Sequence, residues 1–262
     1  MTTFRDGLLE GKVAFVAGGT SGINLGIAKR IAQLGAKVAV CGRDPDKAAR
    51  AAGAIGPDAL GLSADVRDFA AIRAALEQTA GDFGPLDIVV AGAAGNFLAP
   101  ALGMSANAFK TVVDIDLLGT FNTLRACHDL LNRPGASLIA ITAGQADQAM
   151  ALQIHACAAK AGVNQVVRTL AIEWGPDVRV NGISPGPIAG TEGMERLSPP
   201  GMREASEARI PLKRWGEIEE IADAAAFLCS PAATYITGTI LDVDGGSSVG
   251  DAGRMDFAKG LS

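Results

Sequence analysis

Phenol and imidazole groups are almost missing from this chain of 262 residues, which has one tyrosine, Tyr235, and two histidines. Proton transfer by tyrosine or histidine therefore has few candidates, and the single phenol lies near the C-terminal end. Basic residues are in the minority, 23 against 28 acidic ones, and the net charge is -5. Phosphate-backbone binding needs clustered Lys and Arg, so nucleic acid is not an expected partner. No apolar run approaches the roughly 18 residues that signal a membrane span, so a soluble protein without a membrane partner is expected. The four cysteines, Cys41, Cys127, Cys157 and Cys229, lie far apart and without metal-ligand spacing. That predicts buried free thiols and implies no zinc or other metal. Met1 to Glu10 carries Arg5, Asp6 and Glu10 and no long apolar stretch, which does not read as a secretory signal, and a cytoplasmic location is expected. Gly260-Leu261-Ser262 differs from the S-K-L type of address, giving no support to a peroxisomal location.

What the chain does have is alternation. Short β-branched runs at 12–17, 37–41, 59–63, 86–91, 137–142, 179–184 and 239–243 are separated by longer amphipathic stretches. Strands apolar on both faces, joined by helices, predict an α/β fold: one Rossmann-like domain over 1–262, a doubly wound parallel sheet with helices on both faces. The one long irregular stretch runs from Pro185 to Trp215 and contains Pro185, Pro187, Pro199, Pro200 and Pro211. A substrate lid over 185–215 is the expectation there.

Gly18-Gly19-Thr20-Ser21-Gly22-Ile23-Asn24 follows the first predicted strand and leads into a helix expected from Ile23 to Leu34. Glycines let a backbone turn sharply against a pyrophosphate, whose charge meets the helix N-terminal amides. The spacing resembles the pattern T-G-x-x-x-G-x-G of short-chain dehydrogenases/reductases, with Ala17 for the Thr and Asn24 for the last Gly. Asn tolerates positive φ, so Asn24 is compatible with a glycine-like turn. The second strand ends Cys41-Gly42-Arg43-Asp44, with Gly42 where an NAD-type enzyme places a carboxylate and Arg43 beside it. Arg attracts a 2′-phosphate, which favours NADP(H); a surface Arg next to a helix-capping Asp44 is the competing reading. The resemblance adds Asp65 and Val66 as the adenine-contacting pair and Ala91, at the end of strand four, as a cofactor neighbour.

The same family normally carries a Tyr and a Lys four residues apart on one helix, a Ser after strand five and an Asn on the preceding helix. The Lys matches Lys160; the other positions hold Ala156, Ala143 and Asp116. Ala93-Ala94-Gly95-Asn96-Phe97, Pro185-Gly186-Pro187-Ile188 and Gly190-Thr191-Glu192-Gly193 resemble 2,4-dienoyl-CoA reductases, the peroxisomal type above all. That likeness implies an NADPH-dependent reductase of a conjugated acyl-CoA and a homotetramer. In conjugate reduction negative charge collects on the distant thioester oxygen, so hydrogen-bond donors are needed there rather than a phenol at the reacting carbon.

The likeness assigns Asn96 to that oxygen. Gln145 stands where mitochondrial-type reductases have a Tyr that also holds it. Asp116 falls where the peroxisomal type carries an Asp that relays a proton through water, and Lys160 matches the lysine that binds the nicotinamide ribose. Pro185, Gly186, Ile188 and Thr191 resemble the segment closing over the nicotinamide amide and diphosphate. Blander readings compete: a turn cap at Asn96, a solvent-facing loop position for Gln145, a structural ion pair for Asp116, and for His155 a packed helix residue rather than an acid. Arg196, Arg203, Arg209, Lys213 and Arg214 are either a site for CoA phosphates or a solvated face. A reductase of other conjugated carbonyl compounds and a catalytically silent NADP(H)-binding sensor or scaffold remain open alternatives.

Overall fold

The central strands have no solvent-facing side. In a computed structural model describing residues 4–197 and 201–250, β1 (Val13–Ala17) and β5 (Ala136–Ile141) are buried along their whole length. Alternate side chains enter opposite cores: Val13, Phe15 and Ala17 pack on one face of the sheet, Ala14 and Val16 on the other. The remaining strands are β2 (Lys37–Gly42), β3 (Leu60–Ser63), β4 (Ile88–Ala91), β6 (Val178–Pro185) and β7 (Ile240–Val243). All seven pair in parallel in the order β3-β2-β1-β4-β5-β6-β7. This is the Rossmann-like parallel sheet that the alternation predicts, with strand ends displaced by one or two residues. Leu86, predicted as strand, makes only an isolated bridge to Leu131.

Helices cover both faces. On one side are α1 (Gly22–Gln33) and α9 (Ile218–Cys229), whose Ile27, Ile31, Ile221 and Ala225 join Val16, Val38 and Ile139. On the other are α3 (Phe69–Phe83), α5 (Gly119–Cys127) and α6 (Ile154–Trp174), whose Ile72, Leu124, Val163 and Val167 join Phe15, Leu138 and Val180. Their ends are set locally. Asp44 caps α2 (Pro45–Ile55) by accepting from the backbone N–H groups of Asp46 and Lys47 at 2.9 and 3.0 Å, and Asp68 caps α3 in the same way. Glu217 and Glu220 form a reciprocal capping box at the start of α9.

The helix α4 (Ala106–Val113) runs into α5 through a π-helical turn, Asp114–Leu118. That turn carries Asp116 into the interior, where it is 1% exposed. After β6 the chain is less irregular than the prolines suggest. It forms α7 (Glu192–Leu197) and α8 (Met202–Arg209), and Ile188 bridges to Gly216. Pro199 and Pro200 lie outside the described residues, as do Gly260, Leu261 and Ser262. Of the four free thiols, Cys41 and Cys127 are buried, whereas Cys157 and Cys229 are only partly so. Burial pushes the Cys41 thiol up to about 12, which makes it a packing group rather than a nucleophile.

Two glycines test how tightly the layers fit. A Cβ on Gly26 of α1 would lie 2.1 Å from Ile218 Cγ2 of α9, whereas one on Gly53 of α2 would meet nothing within 4 Å. Gly26→Val is expected to destabilise the fold by about 1–3 kcal/mol through overpacking. Gly53→Ala is expected to stabilise it by up to about 1 kcal/mol through helix propensity. Thermal melts of the two variants against the parent, moving in opposite directions, check this.

Candidate active site

The site lies where neighbouring strands send the chain to opposite sides, between the C-terminal ends of β1 and β4, the position at which open parallel sheets bind ligands. A cavity of about 620 Å³ opens there. Gly18, Thr20, Ser21, Gly22 and Ile23 line its floor. Gly18 has φ +72° and a Cβ there would sit 2.7 Å from the backbone of Ala93; Gly22 has φ +54°. These two positions require glycine. Ser21, the N-cap of α1, makes no side-chain cap bond, and the first turn holds no acid. The α1 amides are thus left to an outside acceptor, and the floor fits the pyrophosphate of a dinucleotide.

Asn24 behaves differently from the reading based on its tolerance of positive φ. It is an ordinary residue of α1, outside the positive-φ set. Its side chain instead crosses to the next strand loop, donating from Nδ2 to the Gly92 carbonyl at 2.7 Å. A Cβ on Gly92 would meet Asn24 Oδ1 at 2.2 Å, so the two residues fit only as a pair. Asn24 Oδ1 is buried without a hydrogen-bond partner. Ala91, placed with the cofactor residues by resemblance, is buried at the end of β4 and is not among the residues lining the cavity, where Gly92 and Ala93 take its place.

At the β2 end of the cavity Arg43 is exposed, and Lys47 stands one helical turn further on. Asp44 beside them is used up as a helix cap, whose amide bonds hold its carboxyl below the usual range, so the capping reading of Asp44 and a free Arg43 hold together. Lys47 Nζ lies 3.3 Å from Glu192 of α7 across the cavity mouth. Asp65 is gripped by Arg67, which lowers its pKa first through side-chain hydrogen bonds, and Val66 lies next to it on the cavity wall. Pro185, Gly186, Ile188 and Thr191 line the opposite side. Thr191 donates to the Ile188 carbonyl at 3.0 Å, and Gly186 lies so close to Asp244 that a Cβ would come within 2.6 Å of its Cα. Of the basic stretch, Arg203 pairs with Glu207 and Arg214 with Glu220, while Lys213 donates to the Ala208 carbonyl. Those charges are largely engaged within the chain. Trp215 is nearly buried, donates to Ser206 Oγ at 3.1 Å and has the Arg203 guanidinium 4.9 Å from its ring.

The third part of the cavity holds the predicted chemistry. Ala143 and Ala156 line it, so neither position offers a hydroxyl. Lys160, nearly buried, lies 3.3 Å from Asp116 Oδ2 and donates to the Ile141 carbonyl at 3.0 Å. Asp116 Oδ1 accepts from the Gly95 backbone N–H at 2.7 Å, which ties the loop after β4 to the π-helical turn. An ammonium has three protons; the Ile141 carbonyl accepts one from Lys160, and Asp116 holds the charge as an ion-pair partner. Asn96 Oδ1 accepts from the Phe97 backbone N–H at 2.8 Å, a turn cap, while its Nδ2 donates to Gln153 Oε1 at 2.6 Å. Gln145 is half-buried rather than solvent-facing and donates to the same Gln153 oxygen at 3.2 Å.

His155 is fully buried with its ring edge-on to Phe97, 4.4 Å between centroids, and its Nδ1 accepts from the Ala156 backbone N–H, as a packed helix residue does. Sequence reasoning missed three members of this region. Gln153 and Lys47 carry no motif, and Asn24 stands in the glycine pattern, which gives no sign of its link to Gly92.

A family model described as enoyl-(acyl carrier protein) reductase matches residues 17–248. The chain belongs to the short-chain dehydrogenase/reductase family. It is 45% identical to the peroxisomal 2,4-dienoyl-CoA reductase of Pongo abelii, over 93% of this chain and 86% of that one. To the peroxisomal 2,4-dienoyl-CoA reductase of Saccharomyces cerevisiae it is 42% identical with the same coverage. Among solved structures of the family, a short-chain type dehydrogenase/reductase from Mycobacterium marinum superposes with a TM-score of 0.85 at 31% identity, covering 91% of this chain and 96% of that one. A 3-ketoacyl-(acyl-carrier-protein) reductase from Brucella melitensis, complexed with NADH, gives 0.84 at 34% identity, covering 92% and 99%.

Lys160→Met leaves the Asp116 carboxylate buried without its cation and is expected to cost about 3–5 kcal/mol of stability. Adding Asp116→Asn to Lys160→Met removes the orphaned charge and should recover a large part of that loss. Urea unfolding of the parent, the single and the double variant measures it.

Proposed function

We propose that this oxidoreductase is an NADPH-dependent reductase of 2,4-dienoyl-CoA thioesters that forms a 3-enoyl-CoA. The observation carrying the reading is the exchange of functional groups around one cavity: alanine where a hydroxyl would protonate a carbonyl oxygen, and two carboxamides, Asn96 and Gln145, with N–H groups at hand. The names of the relatives at 42% and 45% identity support the same substrate class. NADPH, when bound, supplies the hydride. Gly18, Gly22 and the α1 amides would hold its diphosphate, Arg43 its 2′-phosphate, and Lys160 its nicotinamide ribose; Thr20, Ser21, Ile23, Asp65, Val66, Pro185, Gly186, Ile188 and Thr191 complete the cradle.

The carboxamide N–H groups of Asn96 and Gln145 stabilise the negative charge that collects on the thioester oxygen. Neither can give up a proton to carbon, so the proton comes from elsewhere. Asp116 and Lys160 form the polar end of that relay: the carboxylate fixes the ammonium, which donates one proton to the Ile141 carbonyl and keeps N–H capacity for the ribose or a water in the cavity. Residues 185–215 act as the lid over the bound ligands, with Ile188 bridged to Gly216 at its base. One domain spanning 1–262, a cytoplasmic location and a homotetramer belong to the same reading. The free thiols suit a reducing compartment. Exposed Leu118, at the end of the π-helical turn, and Phe121, in the first turn of α5, offer an apolar face to another copy.

Purified protein mixed with NADPH and 2,4-hexadienoyl-CoA should consume NADPH, read by its near-ultraviolet absorbance; none consumed above a Lys160→Ala control, across chain lengths, rejects the reading. Asn96→Ala is expected to lower kcat by about 10²–10³-fold, the usual loss for one oxyanion donor. Arg43→Ala is expected to raise KM for NADPH by about 10–100-fold, as loss of a charge-assisted hydrogen bond does, and to leave KM for NADH unchanged.

A further inference from the structure

Gln153 lies outside every motif of the chain, yet both proposed oxyanion donors are tied to one of its atoms. Asn96 Nδ2 and Gln145 Nε2 donate to Gln153 Oε1 at 2.6 and 3.2 Å, from a loop after β4 and a loop after β5. A carboxamide oxygen has two lone pairs and no proton, so it accepts from both amides and binds neither of their oxygens. Each donor amide keeps its second N–H for another acceptor. The Gln153 amide nitrogen has only a long contact of 3.9 Å to Met150 Sδ, so its oxygen is the end in use.

The backbone is arranged around this position. Leu152, which precedes it, takes φ +66°, a left-handed conformation rare for a branched residue, and its carbonyl accepts from the Ala99 N–H at 2.9 Å. Gln153 itself is the N-terminal cap position of α6, the helix that also carries Lys160. The same turn of chain therefore sets the donor pair and the ammonium relative to each other.

We infer that Gln153 is a positioning residue for the conjugate reduction: its Oε1 fixes the spacing of the Asn96 and Gln145 amides and keeps their N–H ends, rather than their oxygens, turned toward the thioester oxygen. The inference rests on the reductase reading above. Its physical basis is the near symmetry of a carboxamide. Rotated by 180° about its last bond, either side chain presents an oxygen to the forming oxyanion and repels it. With Gln153 in place the rotated form faces Oε1 with a second acceptor and is disfavoured for both amides at once; for Asn96 the Phe97 N–H on its Oδ1 acts in the same direction, whereas Gln145 depends on Gln153. The two amides consequently act as a unit.

Two variants of similar volume separate this role from packing. Gln153→Glu keeps the acceptor, whereas Gln153→Met removes it. The methionine variant is expected to lose about 10–100-fold in kcat with 2,4-hexadienoyl-CoA, a fraction of the loss for deleting a donor outright. Its KM for NADPH and its thermal midpoint should match the parent, and Gln153→Glu should recover part of the kcat, because its carboxylate holds both donors while its charge opposes the oxyanion. In an Asn96→Ala/Gln145→Ala background Gln153→Met should cost nothing further.

Calorimetry with hexanoyl-CoA, a saturated thioester, should give the same order of affinities, the methionine variant weakest. That order of affinities with no NADPH consumption by the parent sinks the reductase reading and its catalytic consequence, and leaves standing only that Gln153 orients the two amides toward a thioester oxygen. A methionine variant with parental kcat and affinity, an equal loss in the glutamate and methionine variants, an undiminished loss in the double-alanine background, or no thioester binding by any of the three overturns the inference.

Discussion

The pair formed by Lys160 and Asp116, 3.3 Å apart with both side chains almost withdrawn from solvent, is the constraint around which the cavity is organised. A lone charge in such a place is untenable; the two together are tolerated because each has a further partner, the Ile141 carbonyl for the ammonium and the Gly95 amide for the carboxylate. Those partners belong to β5 and to the loop after β4. The pair therefore links α6, the π-helical turn and two neighbouring strands, and the segment carrying Asn96 begins one residue beyond the Gly95 anchor. Electrostatics of this kind adds little net stability, but it permits few alternative arrangements.

Upon that base the family scaffold has been fitted with a different set of polar groups. The parallel sheet delivers the same loop ends wherever it occurs, and the glycines at 18 and 22 keep the positive-φ turn at the end of β1. What differs is the chemistry at the far end, where alanines replace hydroxyl-bearing residues and carboxamides occupy the rim. Amides are strong donors that neither gain nor lose protons near neutral pH. They suit a reaction in which charge is stabilised at one atom while the proton is delivered at another.

The fold was readable from the chain because its evidence is repeated. Seven apolar runs recur along the chain, the central ones such as Val13 to Ala17 buried on both faces, and an error at one strand end, as at Leu86, leaves the topology intact. The residues that line the cavity were readable where a motif fixes a residue type at a set spacing: Gly18 and Gly22 in the turn, Arg43 after β2, and Lys160 on its helix. They were unreadable where a residue acts through a neighbour distant in sequence. Asn24 makes sense only beside Gly92, 68 positions away, and Gln153 only beside Asn96, 57 away. Residues 185–215 were misread as irregular because prolines interrupt them, although α7 and α8 form between those interruptions.

The scarcity of aromatic residues has an optical consequence. The chain has two tryptophans, and they sit in unlike surroundings: Trp174 at the end of α6, tilted against His128, and Trp215 under the guanidinium of Arg203 at the foot of the segment after β6. A cation held over an indole shifts and quenches its emission, so the protein carries an intrinsic fluorophore in the segment that would close over a ligand. Trp174, at the C-terminal end of α6 and outside that segment, contributes the other part of the signal.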